Sequence, residues 1–69
     1  MELGRPADAL PSAREAVAIY RELASSDSDT HRLELAYALQ NLGILYAELG
    51  RVPEAQLASA EAEALSGKS

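Results

Sequence analysis

One histidine, eleven carboxylates and no cysteine are what this chain offers to chemistry. His31 stands near Asp27, Asp29 and Glu34. Zinc sites draw on more nitrogen or sulfur ligands than that, so His31 reads as a solvent-facing residue in the first turn of a helix. Asp27-Ser28-Asp29 starts like a calcium loop. The glycine and the bidentate glutamate that such a loop needs further on are missing at the right spacing, and a helix cap explains the same residues. Glu61 and Glu63 lie two apart, so on a helix they point to different sides and cannot work as an acid–base pair. Glu15 and Glu22, with Arg14 and Arg21, repeat at a spacing of seven and read as a solvated face. The glycines are scattered at Gly4, Gly43, Gly50 and Gly67, which rules out a phosphate-cradling loop. Nothing brings together a nucleophile, a base and an oxyanion donor. The sequence therefore predicts a non-enzyme with no metal and no cofactor.

Composition narrows the partners. Sixty-nine residues make one domain at most, near the lower limit for a core without staples. The net charge of −5 leaves no basic patch for nucleic acid and disfavours an anionic membrane surface. No apolar run approaches the length of a membrane span. The first five residues are not those of a signal peptide, and a cytoplasmic protein is the default expectation. The lack of cysteine suits a reducing compartment.

Alanine and leucine dominate, tryptophan and phenylalanine are absent, and the composition favours helix almost throughout. The first helix is expected over 7–24. Val17, Tyr20 and Leu23 form its stripe at i, i+3 and i+6, continued by Ala13 and Ala16. Pro11 either starts this helix or sits inside one that begins near Pro6 and kinks early; the second reading is preferred. Ser25-Ser26-Asp27-Ser28-Asp29-Thr30 is the break, with Ser28, Asp29 or Thr30 as N-cap. The second helix is expected over 30–49. Leu35, Leu39, Leu42, Tyr46 and Leu49, spaced 4, 3, 4 and 3, make one apolar stripe, widened by Ala38 and Leu45. Gly50 then supplies the left-handed residue after the helix. The third helix is expected over 53–66, with Pro53 first and Gly67 ending it. Its face of Ala55, Ala58, Ala62 and Leu65 is small and alanine-rich, and Lys68 and Ser69 form a loose tail. The expected core is Val17, Tyr20, Leu23, Leu35, Leu39, Leu42, Leu45, Leu49 and Leu65.

The chain also repeats itself. Leu3-Gly4-Arg5 returns as Leu49-Gly50-Arg51, Asp8-Ala9 as Glu54-Ala55, and Glu15-Ala16 as Glu61-Ala62, always 46 residues on. A fixed offset of this kind marks helical units that bury their apolar faces by stacking.

Asn41-Leu42-Gly43-Ile44-Leu45-Tyr46, then Leu49-Gly50-Arg51 and Glu54-Ala55, resembles a tetratricopeptide repeat. That family has a small residue followed by an aromatic three positions on. A glycine follows at the helix–helix turn, then a small residue one turn into the second helix. Gly43, Tyr46, Gly50 and Ala55 match these positions, and Ala62 matches a further small one. Leu39 stands where the family often has tryptophan, Ser59 where it has an aromatic, and Gly67 where it often has proline. The offset of 46 exceeds the family's usual period of about 34 residues and is closer to the long variety of kinesin light chains. The resemblance implies an all-α fold over 1–69: three antiparallel helices in the order helix B, helix A, helix B, a partial array of about one and a half repeats. It also implies that Gly43 and Ala55 meet where the second and third helices cross.

By the same resemblance, the inner face of helix A would line a partner-binding groove formed by Tyr37, Gln40, Asn41, Ile44, Ala47 and Glu48. Asn41 fits the asparagine of the family's carboxylate clamps, but no basic residue accompanies it, which disfavours a clamp. Tyr37 and Ile44 suit an apolar or helical ligand, or else pack against a neighbouring repeat. The expected function is a protein–protein interaction module, a scaffold segment that binds a peptide or partner helix. The alternatives are a structural unit that associates with copies of itself as a homo-oligomer, and a regulatory appendage of a larger signalling protein.

Overall fold

The computed structural model describes residues 6–66. Among these, every residue outside Asp27 and the segment 49–51 is helical, and there is no strand. The all-α expectation holds. The helices are α1, Pro6–Ser26; α2, Ser28–Glu48; and α3, Val52–Ser66.

The early start of α1 holds as well. The helix opens at Pro6, at the position where proline is best tolerated, and runs on through Pro11. Pro11 has no N–H to give the carbonyl four residues back, so one rung of the ladder is missing. The repeat copy Leu3-Gly4-Arg5, the helix-ending Gly67 and the tail Lys68-Ser69 lie outside the described residues.

The break between α1 and α2 is one residue, not the six of 25–30. Asp27 leaves helical geometry at φ −145° and ψ 83°. Its N–H still donates to the Leu23 carbonyl (2.9 Å), while its own carbonyl accepts from the His31 N–H (3.2 Å). Asp27 thus closes one helix and opens the next. It is also the N-cap, in place of the expected Ser28, Asp29 or Thr30. Its carboxylate has two acceptor oxygens, and Thr30 offers two donors in the first turn. Oδ2 takes the Thr30 hydroxyl at 2.7 Å, and Oδ1 takes the Thr30 N–H at 3.3 Å. The hydroxyl bond, then the amide bond, hold the Asp27 carboxyl below its ordinary pKa against a small opposing effect of burial, and His31 helps.

At the other end of α2, Gly50 has φ 81°, the left-handed conformation expected of it. The Arg51 N–H reaches the Tyr46 carbonyl at 2.8 Å, and the Gly50 N–H reaches that of Ala47 at 3.0 Å. This pair of bonds is the Schellman arrangement, which satisfies two of the carbonyls a helix end leaves open. After it, α3 begins at Val52, one residue before the expected Pro53. Pro53 still lies within the first turn, where its missing N–H leaves no intrahelical bond unmade.

The α2 helix lies in the middle and packs on both neighbours, whereas the backbones of α1 and α3 do not approach each other. Between the outer helices, the Arg21 guanidinium of α1 forms a two-point ion pair with the Glu61 carboxylate of α3. The core runs through all three layers, from Val17 through Leu35, Ala36, Ala38, Leu39 and Leu42 to Ala58 and Ala62. Leu39, 2% exposed, is its centre; burying such a side chain fully is worth about 1.5–3 kcal/mol. Tyr20 and Leu65 pack against the core part-buried, as do Leu10 and Ala24.

Three expected core residues are not there: Leu45 is only part-buried and lies outside the core cluster, and two more are exposed. Leu23 is 40% exposed and Leu49 37% exposed. Each step of three residues on a helix falls about 60° short of a full turn. The series Val17, Tyr20, Leu23 therefore drifts off the buried side, and Ala24, seven residues after Val17, takes the place assigned to Leu23. Leu49 lies one residue past the end of α2, where the chain is already turning toward α3.

Candidate functional site

The buried residues of α2 are Leu35, Ala36, Ala38, Leu39, Leu42 and Gly43. At about 100° per residue they fill the side of the helix that meets α1 and α3. Tyr37, Gln40, Asn41, Ile44, Ala47 and Glu48 fall on the opposite arc, and all are exposed. Tyr37 is 70% and Ile44 56% exposed. These two large apolar side chains lie one above the other, seven residues apart.

The arc is a ridge between two hollows, and the candidate residues divide between them. Tyr37 and Asn41 line a pocket of about 280 Å³ between α1 and α2, together with Ala13, Ala16, Tyr20, Glu34 and Ala38. Ile44 and Ala47 line a wider cleft of about 520 Å³ between α2 and α3, whose floor includes Gly43, Ala55 and Ser59. Gln40 and Glu48 line neither hollow. The floor of the second cleft explains its closeness. A Cβ added at Gly43 would sit 3.4 Å from the Ala55 carbonyl oxygen, 3.6 Å from the Ala58 Cβ and 3.1 Å from the Ser59 Oγ. Gly43 and Ala55 do meet at the helix crossing, and Ser59 comes nearer still.

The first pocket brings in residues that the sequence did not point to. The sequence expects Tyr20 in the core and points to Glu34 only as a neighbour of His31. Both face the hollow that Ala13 and Ala16 leave open, since a methyl group cannot fill the space beside α2. The small residues on α1 were the available signal. Glu34 is held in place by His31, whose Nδ1 lies 2.8 Å from the Glu34 Oε1. His31 is thus partly covered and engaged with a neighbour three residues on, not simply open to solvent. Asn41 has no cation beside it among the residues lining this pocket. Among the described residues, no group of three or more histidines and acids converges as a metal site would require, and no helix is long and apolar enough to cross a membrane.

No curated protein and no solved structure gives a match to the chain. A family model does match it: the tetratricopeptide repeat, over residues 1–30. Those residues include the first copy of the internal repeat, the whole of α1 and the first three residues of α2. The matched segment supports a tetratricopeptide-repeat fragment, and the three-helix stack, with α2 between two helices, fits a partial repeat array.

Proposed function

We propose that the chain is a scaffold segment that binds a peptide or a partner helix across the outer arc of α2, with Tyr37, Gln40, Asn41, Ile44 and Glu48 as the contact residues. Tetratricopeptide repeats serve in general as non-catalytic modules of protein–protein interaction. The observation that carries the reading here is the exposure of Tyr37 and Ile44 on one arc, each at the edge of a hollow. Large apolar side chains gathered at concave surface are what an interaction face requires. The proposal treats residues 1–69 as one domain of the long-period variety working in the cytoplasm. Self-association is the second reading. It is favoured by Leu57, which is exposed on the far side of α3 from the core.

The test is selection from a displayed peptide library against the wild-type chain and against Tyr37→Ala/Ile44→Ala. Binders selected on the wild type should lose affinity for the double variant, while circular dichroism shows unchanged helicity. If capture survives and the melt collapses, these residues are core and the groove assignment fails. Light scattering across a concentration series distinguishes self-association.

A further inference from the structure

Resting on that reading, we infer that the α1–α2 pocket receives the side chain of a lysine or arginine from the bound peptide. At about 280 Å³ the pocket is too small for a whole drug-sized ligand and of the right order for one long side chain. Its walls are amphipathic in the same sense as those side chains. Ala13, Ala16 and the rings of Tyr20 and Tyr37 offer an apolar channel, while Glu34 and Asn41 put a carboxylate and an amide at its border. Lysine and arginine bury an aliphatic stem and keep a charged head at a polar edge.

The electrostatics agree. Glu34 is the one charged residue lining the pocket. Its Oε1 is engaged by His31, and its Oε2 meets no protein donor among the described residues. Arg21 of α1 is paired with Glu61 of α3. A cation entering the pocket therefore meets two aromatic rings and a carboxylate that shares one oxygen with His31 and has no lysine or arginine beside it among the lining residues. Rings and carboxylates each attract such a group, the rings through their quadrupole. The chain's net charge of −5 draws basic peptides in from further away. An acidic peptide would meet the reverse at every step.

The experiment is an anisotropy titration of the whole chain with a fluorescein-labelled synthetic peptide carrying one lysine among leucines and alanines. Three twins carry arginine, norleucine or glutamate at that position. The lysine and arginine peptides should bind about three- to tenfold tighter than norleucine, with glutamate weakest, and the margin should shrink as salt is added. Glu34→Gln should remove the margin without changing norleucine binding. Tyr37→Phe should keep it, because the ring remains, and Tyr37→Leu should reduce it. Glu22→Gln, which removes a charge away from the pocket, should leave it intact.

Equal binding of lysine and norleucine, at a surface that Tyr37→Ala still weakens, overturns the cation assignment and leaves the groove standing. A margin lost equally in Glu22→Gln also overturns it, since the attraction would then belong to the net charge. Failure of every twin to bind, or binding indifferent to Tyr37→Ala and Ile44→Ala, overturns the groove itself.

Discussion

Gly43 is the position where the packing of α2 on α3 can be tested with single atoms. In an exposed helix, Gly→Ala stabilises by about 0.5–1 kcal/mol, because alanine loses less backbone freedom on folding. Here the new methyl would lie 3.6 Å from the Ala58 Cβ and 3.4 Å from the Ala55 carbonyl oxygen, both ordinary contacts. At 3.1 Å from the Ser59 Oγ it would be a few tenths of an ångström too close. Ser59 is exposed and turns about one bond, and moving a side chain off its preferred rotamer costs about 0.5–1.5 kcal/mol. Gain and cost are of one size, so Gly43→Ala should be near neutral. Removing the hydroxyl first changes the balance. In a Ser59→Ala background, Gly43→Ala should stabilise by about 0.5–1 kcal/mol. Gly43→Leu has no such escape, because its further carbons run into the α3 backbone at Ala55, and it should cost about 1–3 kcal/mol. Urea melts of the four variants and the wild type supply all the differences, provided their slopes agree. A Gly43→Leu variant as stable as the wild type would mean that α2 and α3 do not cross closely at this residue, and the physical basis of the repeat reading would go with it.

Gly50→Ala should lower stability by about 1–2 kcal/mol, the cost of a left-handed conformation for an L residue, because φ is 81° and nothing lies within 4 Å of the added carbon. Thermal melts measure it; a neutral result would show that the α2–α3 turn does not need this geometry. Asp27→Ala should lower the melting temperature near neutral pH by uncapping α2, and Asp27→Asn should lower it less. Since the Asp27 pKa is lowered on folding, its contribution is complete above the ordinary carboxylate pKa of about 4 and fades as pH falls through the folded value. Wild type should therefore approach Asp27→Asn in acid, and a gap between these two that stays constant through the acid range would refute the role of the charged cap.

The elements were legible because the strongest local signals are single residues with one physical meaning. Gly50 could only end a helix, and the 4-3-4-3 leucine spacing of α2 could only be a helix. What the sequence concealed depended on how many neighbours each helix has. A stripe drawn for one partner left out Ala36, which is buried because α2 is covered on two flanks and its buried arc is wider than one stripe. The cap was missed for a different reason. Six polar residues in a row offer several equivalent caps, and only the pairing of two acceptors with the two donors of Thr30 selects Asp27. Within the candidate site, the α2 residues followed from helical arithmetic. Tyr20 and Glu34 did not, because the pocket they share exists only once α1 is laid beside α2.

Both packing interfaces join helices that are consecutive along the chain, and none joins the first to the last. The consequence is kinetic. No long loop must close before a contact forms, so the contact order is low, and proteins of this kind fold in roughly microseconds to milliseconds. The order of events is also constrained. Either hairpin, α1 with α2 or α2 with α3, can form first, but α2 takes part in both. Weakening Leu39 should therefore slow folding by either route, whereas weakening Val17 or Ala62 should leave the opposite hairpin free to begin.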